Sequence, residues 1–407
     1  MEKVLTCAVM TNEREDVFMS SVEELNELVR TAQGEVVDTI IQKRPQIDSK
    51  TVVGKGKLQE IAQICDCHAI DTVIFNQALS PRQAQLLEEA LQVKVLDRIQ
   101  LILHIFAMRA RSKAGQLQVE KAQIDYLLPR LVNSQTHLSR LGAGIGTRGP
   151  GETKLETDRR HLRQRQTKIK EELAHIEAQR TLNRKQREKQ SLLNIGLIGY
   201  TNAGKSTLLN VLTKADTYEQ NELFATLDPL TKQMTLPCGL QTTLTDTVGF
   251  IQELPTTLID AFHSTLEETR QMDLLLHVVD SHSKIREIQE QTVLQLVQEL
   301  KMDHIPMITI YNKKDLVETF MPTLFPFVLI SAKEDESKEK IQDAIVEQLQ
   351  QIWQPYTLYL SLSESYLIAR LKHHSLLMHE HFDEEKNTYR LEGYAPKSLY
   401  WLWELID

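Results

Sequence analysis

Gly199-Tyr200-Thr201-Asn202-Ala203-Gly204-Lys205-Ser206 is a G-x-x-x-x-G-K-S sequence set directly behind the apolar run Leu192–Ile198, and a chain carrying it has few folds open to it. A wholly apolar strand feeding a glycine-rich turn and then a helix belongs in a parallel sheet covered on both faces. In that turn successive N–H groups point into one concavity, and the helix behind it turns its positive end to the same anion. Lys205 adds a point charge suited to β- and γ-phosphates, and Ser206 offers a hydroxyl to Mg2+. Gly199 through Ser206, with the adjoining Thr207, form the expected phosphate-contacting stretch.

Three further segments follow in an order that gives the cradle a nucleotide. Asp246-Thr247-Val248-Gly249 ends the apolar strand Leu240–Thr245; Asp246 is expected to approach Mg2+ through water, and the Gly249 N–H to reach a γ-phosphate. Asn312-Lys313-Lys314-Asp315 follows the strand Ile305–Tyr311. A carboxylate there accepts two N–H bonds from a guanine edge, a donor pair that adenine lacks, and unpaired buried polar groups are costly. Ser331-Ala332-Lys333, behind Phe327–Ile330, completes the base pocket. Together the four segments predict a GTPase, with Lys205, Thr226 and Gly249 as its catalytic contacts.

Between the cradle and Asp246 lies Phe224-Ala225-Thr226-Leu227-Asp228-Pro229. Thr226 is expected to bind Mg2+ through its hydroxyl and the γ-phosphate through its N–H, with Thr231 as the competing choice; Phe224 is placed at the nucleotide. Phe250 stands where many GTPases carry a glutamine that orients water, so hydrolysis by the isolated protein should be slow. Asn202 leaves two readings open, an amide oxygen holding K+ beside the phosphates or a loop cap. Gly54-Lys55-Gly56-Lys57 opens a helix and reads chiefly as a helix N-terminal turn, with an anion site as the lesser alternative.

At 407 residues, 41% hydrophobic and 25% charged, the chain has the profile of a soluble multidomain protein. No apolar run approaches the roughly 18 residues of a membrane span, no secretory leader opens the chain, and the expected location is cytoplasmic, without stable membrane insertion. Cys65 and Cys67 make a lone C-x-C and Cys7 and Cys238 are remote, so reduced thiols are expected rather than disulfides or zinc. Net charge is −9, yet between Arg140 and Gln190 fourteen Lys/Arg face seven Asp/Glu. A basic element on an acidic body points to a surface meant for phosphates.

Four divisions emerge. Residues 1–115 alternate strands and helices as a small α/β domain. Residues 116–190 carry two heptad series, Leu117, Ile124, Leu131, Leu138 and Leu155, Leu162, Ile169, Ile176, predicting an antiparallel helical hairpin with a bend at Pro129. Its connection holds five of the chain's fifteen glycines, Gly142, Gly144, Gly146, Gly149 and Gly151. Residues 191–354 form the P-loop domain. Residues 355–407 read strand, helix, strand, helix as a small C-terminal α/β domain.

These residues resemble those of the HflX-type translational GTPases along nearly the whole chain. The resemblance rests on Gly54 to Leu58, on Leu138-Ser139-Arg140-Leu141-Gly142-Ala143-Gly144-Ile145-Gly146-Thr147-Arg148-Gly149-Pro150-Gly151-Glu152-Thr153, on Phe224 to Pro229, and on Asp246 to Phe250. Ala143, Lys154, Leu230 and Lys232 depart from the usual family residues. The resemblance implies a Ras-like GTPase domain between the N-terminal and C-terminal parts, a monomer away from the ribosome, and binding to the large ribosomal subunit. In many members it also implies GTP-dependent separation of stalled ribosomes; a GTP-gated assembly factor or RNA-binding module is the alternative. Arg148, Arg159, Arg160 and Arg163 are the expected rRNA contacts, and Arg165 is grouped with the cations of the second helix.

Overall fold

The computed structural model describes residues 1–133, 150–188, 193–213, 224, 230–247, 249–251, 269–384 and 386–406. Two compact units emerge, one built from Met1–Glu177, Glu222–Asp228 and Gln252–His263 and one holding Ala178–Asn221, Pro229–Ile251 and Ser264–Asp407. Among the described residues no helix is long and apolar enough to cross a membrane.

In the first unit β1 (Glu2–Met10), β2 (Gly34–Lys43), β3 (Thr72–Phe75) and β4 (Lys94–Asp97) form a parallel sheet of order β2-β1-β3-β4. Helices α1 (Glu15–Thr31), α2 (Lys55–His68) and α3 (Pro81–Leu91) make the crossovers, and α4 (Arg98–Arg109) follows β4. Local sequence explains the starts of the last two. Ser80 and Asp97 each take a capping box, with Gln83 and Gln100 returning the bond, and Pro81 occupies the first turn of α3 where its missing N–H costs nothing. Ile61, Leu87 and Leu91 bury against Leu5, Val73 and Phe75 of the sheet, each side chain gaining roughly 1.5–3 kcal/mol.

Helix α5 (Lys113–Asn133) runs through Pro129, and α6 (Pro150–Glu188) packs along it. Their seam is Leu117, Ile124 and Ile169, flanked by Leu128, Leu162, Leu173 and Ile176. Of the heptad positions that the sequence marks, Leu138 lies outside the described residues with the glycine-rich connection, as do the side chains of Leu131 and Leu155. The hairpin's root is polar. Buried Asp97 accepts from the Leu79 N–H (3.0 Å), the Gln100 N–H (2.9 Å), the Tyr126 hydroxyl and Arg130 (3.2 Å). Arg130 also donates to the Leu79 carbonyl (2.7 Å) and lies over the Tyr126 ring. Beside it Arg98, buried against Glu24 at 2.9 Å, donates to Asn76 (2.9 Å) and to Ser21. One knot thus joins β4, α4 and α5.

In the second unit a six-stranded sheet has the order β10-β9-β8-β5-β7-β6. Its strands are β5 (Leu193–Gly199), β6 (Leu230–Thr235), β7 (Gln241–Asp246), β8 (Leu274–Asp280), β9 (Met307–Asn312) and β10 (Phe327–Leu329). Only β6 pairs antiparallel. Helices α7 (Lys205–Thr213) and α9 (Ser337–Ile352) bury Leu208, Leu209, Ile341 and Ile345 with Leu197, Leu244, Leu276 and Ile308, while α8 (Arg286–Glu299) follows β8. A third sheet, β11-β13-β12, joins β11 (Gln354–Ser361), β12 (Leu376–Asp383) and β13 (Thr388–Ala395) antiparallel, with α10 (Tyr366–His374) and α11 (Tyr400–Ile406). Leu376 reaches the six-stranded sheet's core, with Trp353 and Tyr394 beside it. The sequence reading lacks β6 and β12, whose polar faces hide the alternation of a strand, and also the apolar β8.

Tyr126→Phe removes one donor from a buried carboxylate. It should lower unfolding free energy by about 1.5–3 kcal/mol, read by urea denaturation, with far-ultraviolet dichroism unchanged.

Candidate nucleotide site

The strand register places every candidate loop at the carboxyl ends of the parallel strands. Gly199 pairs with Val278, and Asp280 with Asn312. Ligands of open α/β sheets bind at that edge. Two loop positions require glycine. Gly199 has φ +148°, and a Cβ there would stand 2.2 Å from the Val278 carbonyl oxygen. Gly204 has φ +97°, and its Cβ would stand 2.3 Å from Asn312 Nδ2. Asn202, exposed with φ +60°, occupies a left-handed conformation that asparagine tolerates.

The Asn312 side chain binds the segments together. Its Nδ2 donates to the Ala203 carbonyl at 3.0 Å, and its Oδ1 accepts the Ala332 N–H at 2.9 Å. Asp315 Oδ1 accepts from Ser331 Oγ at 2.7 Å, and Lys333 Nζ lies 3.9 Å from its other oxygen. The Ser331 hydroxyl, with Lys333 and Lys313 adding, holds the Asp315 carboxyl below its ordinary range, so it is an acceptor at neutral pH. Lys313 Nζ bonds Asp280 at 2.7 Å. The sequence reading missed Asp280; a carboxylate ending the apolar run Leu274–Val279 was its signal.

At the phosphate end Lys205 is buried, and Nζ donates to the carbonyls of Gly199 (3.1 Å) and Tyr200 (2.7 Å). Burial pushes its ammonium down to about 8, against the attraction of Asp246. Ser206 Oγ donates to Asp246 Oδ2 at 2.8 Å. A hydroxyl and a carboxylate oxygen so placed are hard donors fit for Mg2+, which takes few protein ligands beside phosphate and water. Gly249 lies close enough that a Cβ would stand 3.0 Å from Lys205 Nζ. Phe250 is joined to the cradle by backbone alone: its N–H donates to the Gly199 carbonyl (3.1 Å), and its carbonyl accepts the Thr201 N–H (2.7 Å). Its ring is buried.

Gly199 to Thr207, Asp246, Gly249, Asn312, Lys313, Asp315 and Ser331 to Lys333 therefore all belong to one sheet edge and the loops that leave it. Thr226 and Arg148 lie outside the described residues. Thr231 shares a hydrogen bond with Thr245 across the β6–β7 pair (2.9 Å), which occupies the competing hydroxyl. Phe224 packs edge-on against Phe106 of α4, 4.5 Å between ring centres and within the first unit. On α6, Arg160 and Arg163 are exposed and Arg159 is half-buried. Arg165, grouped with these cations, grips Glu120 of α5 with two bonds, 2.7 and 2.6 Å, and so ties the hairpin.

Gly204→Ala should raise the dissociation constants of GTP and GDP at least about tenfold, because the added carbon strains the loop and displaces the Asn312 amide. Titration with a fluorescent guanine nucleotide measures this. Gly56→Ala, where a Cβ meets nothing within 4 Å, should leave both constants unchanged.

Families described as GTP-binding GTPase N-terminal, GTP-binding GTPase Middle Region and 50S ribosome-binding GTPase match residues 19–107, 109–187 and 194–313. GTPase HflX of Alkalihalophilus pseudofirmus is 46% identical over 397 residues, covering 97% of this chain and 94% of its own. That of Caldanaerobacter subterraneus subsp. tengcongensis is 43% identical over 96% of this chain and 91% of its own. That of Escherichia coli K12 is 44% identical over 76% and 73%. A P-loop sheet edge that gathers phosphate, metal and base loops, within a chain so related along nearly its whole length, identifies a GTP-hydrolysing enzyme: the chain belongs to the HflX family of GTPases.

Proposed function

We propose that this GTPase is a switch on the large ribosomal subunit, and that its GTP-bound form separates stalled ribosomes in the cytoplasm. The observation carrying this reading is the α5–α6 hairpin: α6 spans 39 residues against 21 for α5, and exposes Arg160, Arg163, Lys168 and Lys170 in a chain of net charge −9. Cations on a rigid helix suit rRNA phosphates, whose counterions they release. The match to a family described as 50S ribosome-binding GTPase supports the same partner. The four divisions of the chain, 1–115, 116–190, 191–354 and 355–407, serve this reading as α/β domain, arm, nucleotide switch and C-terminal domain.

The nucleotide is held by residues in distinct roles. Gly199 to Thr207 wrap the phosphates with N–H groups and with Lys205, which leaves the Gly199 and Tyr200 carbonyls to meet phosphate oxygen. Ser206, Thr226 and, through water, Asp246 hold Mg2+, which when bound neutralises charge on the β- and γ-phosphate oxygens. Asn202 is the residue through which K+ would add to it. Asp315 accepts the guanine N1–H and 2-amino group, with Asn312, Lys313, Ser331, Ala332 and Lys333 framing the ring. Gly249 senses the γ-phosphate through its N–H; Phe250, lacking a polar side chain, leaves water unoriented until the ribosome reorganises the loop. Off the ribosome the protein is a monomer with slow turnover.

Saturating large subunits should raise GTP turnover by at least about tenfold, well below the roughly 10³–10⁵ that an added catalytic charge can supply. Turnover indifferent to subunits would end the proposal. Replacing Arg160 and Arg163 with Glu should weaken subunit association in sedimentation and make what remains less sensitive to salt, while leaving subunit-free hydrolysis unchanged. Cosedimentation confined to precursor subunits, with no effect on assembled ribosomes, would assign the arm to assembly instead.

A further inference from the structure

Tyr311 is the last residue before Asn312-Lys313-Lys314-Asp315, and its side chain is the largest fully buried one described. Its backbone carbonyl accepts the Ile330 N–H at 2.9 Å, directly before Ser331. Its hydroxyl points the other way, into the connection 316–326 that carries the chain from Asp315 to β10. There it meets the N–H groups of Thr323 (3.1 Å) and Leu324 (3.0 Å) and Thr323 Oγ1 (2.9 Å).

The direction of these bonds is fixed. Thr323 Oγ1 bonds Glu290, a buried carboxylate 3.4 Å from Arg286 Nε, and a carboxylate only accepts. The threonine hydroxyl therefore donates to Glu290 and accepts from the Tyr311 O–H. That leaves the phenol oxygen its two acceptor positions, and the two backbone N–H groups fill them. Arg286 completes the assembly by donating to the Met321 carbonyl (3.0 Å) and lying over the Phe320 ring, 4.8 Å from its centre, while the Phe320 and Tyr311 rings stand 4.6 Å apart. Arg286 Nε and Glu290 Oε1 face each other as an ion pair without a hydrogen bond, whereas the Tyr311 and Thr323 hydroxyls are satisfied in one arrangement only, which is how a buried network specifies a geometry.

We infer that Tyr311 is a positioning residue for guanine recognition, acting through the chain Tyr311–Thr323–Glu290–Arg286 to fix the length of the 316–326 connection. The connection has Asp315 just before it and leads through β10 to Ser331, and the Ser331–Asp315 bond of 2.7 Å closes the base pocket. Pinning the connection at 320–324 sets where Asp315 stands, and so whether both of its oxygens face the guanine edge. This rests on the assignment of Asp315 to guanine in the proposed function. None of Tyr311, Thr323, Glu290 and Arg286 is among the residues assigned to the nucleotide.

The test compares GTP with inosine triphosphate, which lacks the 2-amino group, using the full-length protein in both cases. Tyr311→Phe strands the N–H groups of Thr323 and Leu324; the GTP dissociation constant should rise about tenfold and that of inosine triphosphate less, so the preference between them narrows. Single-turnover hydrolysis at saturating GTP should stay within about twofold of the parent, since the phosphate end is untouched. Thr323→Val, which cuts the chain but leaves the tyrosine its two N–H donors, should narrow the preference in the same direction, and it serves if Tyr311→Phe fails to fold. A preference unchanged in Thr323→Val or in a folded Tyr311→Phe overturns the inference, as a merely structural role would lower stability without altering discrimination. Asp315→Asn, assayed alongside, should move preference from GTP to xanthosine triphosphate. If it does not, the guanine assignment itself fails; if it does while the other two variants discriminate normally, only the role of Tyr311 is lost.

Discussion

The Asn312 carboxamide is the interaction on which the nucleotide edge depends. One side chain donates to the phosphate loop at Ala203 and accepts from the base loop at Ala332, so three segments far apart in sequence share a single rigid origin. Its place is set by the parallel register of β8 and β9, which puts Asn312 opposite Asp280. Gly204 makes room for it, since any side chain at that position would occupy the amide's own volume. A one-residue slip of β9 would turn the Asn312 side chain to the other face and away from both loops it joins. The fold's core thus holds the site's distances.

Electrostatics divides the work between two regions. At the cradle one ammonium, Lys205, is buried with carbonyl partners, and burial itself lowers its tendency to hold a proton. A phosphate entering there restores the charge balance that burial upsets, so binding and charging favour each other. On the hairpin the cations stand in water on a helix, where each is worth little alone and acts through its number. Arg165 shows the boundary between these uses. It lies among exposed arginines in sequence, yet Glu120 claims it and makes it part of the arm's structure.

The parts of this architecture legible in sequence are those where chemistry dictates residue type at fixed spacing. The cradle, the Asp246–Gly249 segment and the two base segments are readable because glycine, lysine and carboxylate have no substitutes at those positions. The seven-residue spacing of Leu117, Ile124, Leu162 and Ile169 likewise exposes the hairpin seam. Strands β6 and β12 escape because each buries few of its residues and neither alternates cleanly between apolar and polar. Partnerships across elements escape for a different reason. Nothing in the local sequence around Tyr311, Thr323 or Glu290 says that they meet, since the fold alone brings together residues 12 and 33 positions apart.

Three arginines, the buried Arg98 and the half-buried Arg130 and Arg286, share a logic that follows from the cost of burying charge. Each is paired with a carboxylate, Glu24, Asp97 or Glu290, and each carboxylate pair also binds backbone or hydroxyl groups of a neighbouring segment. Desolvating both ions offsets much of their attraction, so well-packed apolar residues of similar volume would serve stability about as well. What apolar residues cannot do is discriminate among nearby orientations, since hydrophobic contact is non-directional. The arginines stand where orientation matters: two beside the root of the hairpin, one under the connection between the base segments. A device that must orient a cationic arm and a guanine pocket has reason to accept polar burial at those points.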